Sequence, residues 1–216
     1  MNRITIIALL PYKGNGLLWF SFFAGFFPVL SIVMHCLGLV PLQVCLFSII
    51  LPAFATVIIA GIKIPVIGKV ILKGWLAGIV AVALYDLSRV PFIINGWSDF
   101  IPKIGAWLTN THEPDAVLGY LWRYAGNGGG MGVAFFVLMF QFRRSERIIL
   151  IGLLYGLFIF ASLMCILVLF REAQEMMFKL TPFTFAGSLI GHVIYGVVLA
   201  MIWKRIKRQD NTIRKF

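Results

Sequence analysis

Three groups of polar side chains stand in stretches of this chain that are otherwise suited to lipid. Tyr85-Asp86-Leu87-Ser88-Arg89 is the first, Tyr120, Arg123, Tyr124 and Asn127 the second, and Ser188, His192 and Tyr195 the third. A charge at bilayer depth costs at least about 2.5–3.5 kcal/mol on insertion scales, so an ionisable residue there is a site candidate. Spacing supports grouping them, because helix residues three, four or seven apart share a face. Asp86 with Arg89, Tyr120 with Arg123 and Asn127, and Ser188 with His192 and Tyr195 each form one polar stripe.

These residue types allow three chemistries. Two arginines against Asp86 leave a surplus positive charge, and a planar guanidinium holds a carboxylate or phosphate through paired hydrogen bonds. The expected function is therefore binding or transport. An outward-facing pocket takes a small anionic solute or a lipid headgroup through Arg89 and Arg123, oriented by Asn127, Tyr85, Tyr124 and Tyr195. A second reading is an integral membrane enzyme acting on a lipid or lipid-linked substrate. In it Asp86 polarises His192, whose ordinary pKa near ~6.5 suits acid–base work. That reading requires the two side chains to lie within hydrogen-bond reach, directly or through one water. A third is a structural subunit of a membrane complex, in which Asp86 neutralises Arg89 or Arg123 and merely clamps helices together.

Metal and cofactor chemistry finds no foothold. Cys36, Cys45 and Cys165 lie in apolar runs without a Cys-x-x-Cys or Cys/His spacing and read as packing residues. His35 falls near the outer end of its span, too shallow to share a haem with His192. His112-Glu113-Pro114-Asp115 reads as a solvated loop. The Gly126-Asn127-Gly128-Gly129-Gly130 run lacks the following lysine and Ser/Thr of a nucleotide-binding loop. Close helix packing explains it better than an unwound, anion-binding turn.

The elements that must position these groups follow from composition. The chain has 216 residues, 61% hydrophobic and 12% charged, with mean hydropathy +0.96. Soluble domains run nearer ~25% charged. A crossing helix needs roughly 20 apolar residues, and six stretches qualify, at about 17–39, 41–61, 72–94, 116–141, 148–170 and 181–203. The fold expected is all-α: a single transmembrane domain over 1–216, a bundle of six helices. Gly38 to Pro41 turn the chain between the first two spans.

Nineteen Lys+Arg against eight Asp+Glu give a net charge of +11. The distribution speaks for orientation rather than for nucleic acid, since short basic loops stay in the cytoplasm. Fourteen basic residues flank one side: Arg3, Lys13, Lys63, Lys69, Lys73, Arg143, Arg144, Arg147, Lys204, Arg205, Lys207, Arg208, Arg214 and Lys215. Lys103, Arg171 and Lys179 flank the other. Both termini should be cytoplasmic, with residues 4–10 as a lead-in to span one rather than a signal peptide.

At roughly 1.5 Å per residue, Asp86 lies roughly 12 Å below the outer boundary, Arg123 roughly 10 Å, and Asn127 and His192 roughly 16 Å. The outer loop 95–115 carries Trp97, Phe100, Ile101, Ile104, Trp107 and Leu108 at helical spacing, which predicts a short helix lying on the outer membrane surface.

Glycine pairs four apart, Gly74/Gly78, Gly126/Gly130, Gly128/Gly132, Gly152/Gly156 and Gly187/Gly191, predict close helix crossings. Spans three and five begin alike, as Gly-Trp-Leu-Ala-Gly and Gly-Leu-Leu-Tyr-Gly, the pattern of a parallel duplicated hairpin or of chance. Membrane lipids are the expected partners, with room for a membrane-protein partner or a second copy. The short loops suit a bacterial inner (plasma) membrane.

Overall fold

The computed structural model describes residues 15–142 and 147–209. The lead-in at 4–10 and the flanking charges Arg3, Lys13, Arg143, Arg144, Arg214 and Lys215 lie outside the described residues. Among the described residues the secondary structure is helical throughout. α1 is Asn15–Ala24 and α2 Phe27–Cys36; α3, Leu42–Lys63, contains a π turn at Leu46–Ile50; α4 is Pro65–Ile94 and α5 Ile101–Thr109. α6 runs over 116–141 with a π turn at Trp122–Gly128; α7 is Ile148–Leu169, α8 Arg171–Met176 and α9 Pro182–Gln209.

Four helices, α3, α4, α7 and α9, are each long and apolar enough to cross a membrane, and the α1–α2 pair, bent by 41°, would make a fifth. Pro28, one residue into α2, has no N–H for the carbonyl of Ala24 and breaks the ladder at the bend. Pro52 threatens α3 in the same way, and the π turn just before it absorbs the disruption. α6 is unbroken too, but Arg123, Asn127 and the glycine run dilute its apolarity. Helix ends also differ from the hydropathy boundaries. α4 starts at Pro65, seven residues before the expected span, carrying Lys69 and Lys73 in its first turns.

Gly38, at φ +67°, ends α2 in the left-handed region that glycine tolerates. The Leu42 N–H opening α3 then donates to His35 Nδ1 at 3.2 Å.

α4 is the central helix, packed on α6, α9 and α3, while α7 packs on α9 and α1 on α6. Glycines set the closest crossings. A Cβ on Gly78 would run into the Gly128 carbonyl, and one on Gly132 into the Gly74 carbonyl. Gly152 and Gly156 stand against Gly196 and the His192 carbonyl. The two similar openings therefore each face the next long helix in the chain, α6 for α4 and α9 for α7. Gly187 and Gly191 instead make room for rings, Phe92 and Trp97 at one and Tyr85 at the other.

The buried core falls into two clusters. One joins α4, α6, α7 and α9 around Phe135, Phe136, Tyr195 and Trp203. The other lies beneath the connections at the far end, around Trp97, Ile101, Ile104 and Phe178. The outer surface stays apolar, with Ile62, Leu87, Phe158 and Leu169 well exposed, as lipid contact would favour.

The loop helix forms as α5. Its apolar face is taken up by protein, for Ile101 and Ile104 are fully buried. Gly105 lies against the Asp115 backbone, and Gly119 of α6 against Ile101. Trp97 is likewise a core residue, 3% exposed, with its ring on Phe92 and Phe178.

Candidate functional site

Two arginines and two carboxylates meet where α4 and α6 approach the loop leading to α5. Asp86 and Arg89 are on α4, and Arg123 comes from the π turn of α6. Arg123 Nε donates to both Asp86 oxygens, at 2.8 and 2.9 Å, and Nη2 adds a third bond. Tyr124 reaches the same carboxylate. Arg89 Nη1 is 3.6 Å from Asp86 Oδ1. Its stronger partner is Asp99, with Nη2 2.6 Å from Oδ1. Tyr120 donates its hydroxyl to Asp99 Oδ2 at 2.7 Å, and the Ile101 N–H donates to Oδ1 at 3.2 Å.

Aromatic faces close the cluster. Arg89 lies over Trp97 at 5.1 Å and Phe100 at 5.9 Å, and Arg123 over Tyr85 at 4.7 Å. Each cation thus has a carboxylate and a π face, the two favourable partners for a desolvated guanidinium. Arg89 is 2% exposed and Arg123 9%, whereas the Asp99 side chain keeps 22%. Burial works against ionised Asp99, but the Tyr120 hydroxyl, the Arg89 charge and the Ile101 N–H outweigh it and hold the carboxyl below its ordinary pKa.

Asp99 is the member that sequence reasoning missed. By sequence it falls in the outer loop 95–115, and the surplus positive charge expected on Arg89 is matched by it. A usable signal was present: Asp99 stands two residues before the first buried turn of α5, a position whose side chain caps backbone rather than facing water.

The expected residues divide. Tyr85, Asp86, Arg89, Arg123 and Tyr124 come together. His192 and Tyr195 turn to other partners: Nδ1 of His192 is 2.7 Å from the Ser188 carbonyl oxygen, and Tyr195 donates to the Gly128 carbonyl at 2.7 Å. No hydrogen bond joins Asp86 to His192 among the described residues; the Tyr85 ring touches His192 edge-on at 5.0 Å and also carries Arg123. The acid–base pair of the enzyme reading is therefore not in direct hydrogen-bond contact among the described residues.

The glycine run is wound, not open. Its π turn has a wider and less regular ladder, and two carbonyls there accept donors from neighbouring helices, Ala125 from the Trp75 indole at 2.9 Å and Gly128 from Tyr195. Asn127 Oδ1 and Arg89 Nε are buried with no hydrogen-bond partner among the described residues. Such atoms cost about 1–3 kcal/mol each when left unmet, so they mark where a ligand's polar atoms would be welcome. Compared with protein families, curated proteins and solved structures, the chain shows no significant match to any.

Proposed function

We propose that the chain is a six-span membrane protein of binding or transport type, with both termini cytoplasmic, α5 at the outer face and a bacterial plasma membrane as its setting. Arg89 and Arg123 receive the carboxylate or phosphate of a small anionic solute or lipid headgroup arriving from the outer side. The observation that carries this reading is the pairing of Arg89 with Asp99. A loop carboxylate, the most exposed charge of the cluster, stands where an incoming anion would bind. Exchange of one anion for another never leaves Arg89 buried and uncompensated, the state that costs most in low dielectric. The loop before α5 then acts as a lid that the ligand displaces.

The test is Asp99→Asn, which empties the guanidinium of its loop partner. The variant is expected to show a larger thermal shift with inorganic phosphate than the wild type, or to retain phosphatidylglycerol beyond what the wild type retains. Arg89→Gln in that background, or Arg123→Ala, should abolish the gain. A structural clamp is the second reading, favoured by the two-to-two balance of charges. It predicts that Asp99→Asn lowers stability and gains no anion.

A further inference from the structure

A cavity of about 620 Å³ opens between α1, α3, α4 and α6, at the opposite end of the bundle from the charged cluster. Lys69 on its rim and Arg89 share α4, and at about 1.5 Å rise per residue they stand roughly 30 Å apart. Phe54, Val57 and Ile71 form its walls, and Ile58, Ile62 and Leu72, all well exposed, open it to the side of the bundle. The volume is within the range of ~300–1,000 Å³ typical of small-molecule sites.

The walls offer almost no hydrogen bonding. The Ser21 hydroxyl already donates to the Leu17 carbonyl at 2.8 Å, and the Trp75 indole is committed to Ala125. The occupant must therefore have a long apolar body. The charge at the edge has one sign. Lys69 is exposed on the rim, no carboxylate among the described residues lines the cavity, and the single-residue break at Ile64 brings exposed Lys63 to the same end.

We propose that this groove seats one acyl chain of an anionic glycerophospholipid, with the phosphate on Lys69. Basic residues between membrane helices at the positively flanked side recognise anionic headgroups in this way. The groove shares no residue with the Arg89–Asp99 site, so the two proposals stand or fall separately.

Native mass spectrometry of the full chain in mild detergent, with phosphatidylglycerol or phosphatidylcholine added, tests it. One phosphatidylglycerol should be retained in preference to phosphatidylcholine. Lys69→Ala, a change at an exposed position, should lower its occupancy about fivefold. Ile58→Trp, which intrudes on the groove without touching a charge, should lower retention of either lipid, with an unchanged melting temperature showing that the variant folds. Lys204→Ala, on another basic flank, should change nothing. Equal retention of the two lipids, unaltered retention in Lys69→Ala, an equal fall in Lys204→Ala, or preference for a free fatty acid would each overturn the proposal.

Discussion

Arg89 and Asp99 lie on either side of the end of α4, and Nη2 of one approaches Oδ1 of the other to 2.6 Å. The contact ties the loop before α5 to the helix at the centre of the bundle. Tyr120 adds a second tie through the other Asp99 oxygen, so α4, α5 and the start of α6 converge on one carboxylate.

Acid should loosen this knot. Asp99 has a folded-state pKa below its unfolded value near ~3.9, so its contribution is complete above that value and is lost as pH falls through the folded pKa. The melting temperature in detergent should be insensitive to Asp99 from neutrality down to about pH 5. Below about pH 4 it should drop more steeply in the wild type than in Asp99→Asn. Parallel curves for the two proteins would contradict this.

The pair between Asp86 and Arg123 should be costly to break from one side and cheap to remove whole. Arg123→Ala leaves a carboxylate in low dielectric with the Tyr124 contact and a cation no nearer than Arg89 at 3.6 Å, and a loss of about 3–5 kcal/mol is expected. Asp86→Leu with Arg123→Met should recover most of that loss, since a well-packed apolar pair replaces the ions. Denaturation of the single and double variants gives both numbers.

Glycine positions should differ sharply in tolerance. Gly78→Val puts a side chain into the Gly128 backbone, where nothing flexible can yield, and should abolish monodisperse protein on size exclusion. Gly16→Ala, with no atom within 4 Å of the added carbon, should behave as wild type.

Orientation is open to direct labelling. Lys69→Cys and His112→Cys are at exposed positions on opposite flanks. A membrane-impermeant thiol reagent applied to intact cells should label the second and spare the first. The reverse pattern would invert the proposed topology.

Composition and order alone announced long apolar helices, because hydropathy and the positions of proline and glycine act through the nearest few residues. The same local rules marked Asp86, Arg89 and Arg123 as polar groups out of place, and Gly74/Gly78 and Gly152/Gly156 as surfaces of close approach. A wound Gly126–Gly130 stretch was the favoured reading on the same grounds, although the π turn around Arg123 was not visible, since one residue of register is settled by contacts with Trp75 and Tyr195.

Partnership was a matter for the tertiary structure. Asp99 lies ten residues beyond Arg89, in the loop after α4, and it becomes the counterion of Arg89 only because the chain folds back after Ile94 and buries Ile101 and Ile104 beneath it. His192 stands only roughly 4 Å deeper than Asp86 by residue count, but rotation of α9 presents it to Tyr85 and Phe160. Depth follows from counting residues along one helix, whereas the direction a side chain faces depends on how that helix meets its neighbours. Ion pairs between residues tens of positions apart are decided by that second quantity.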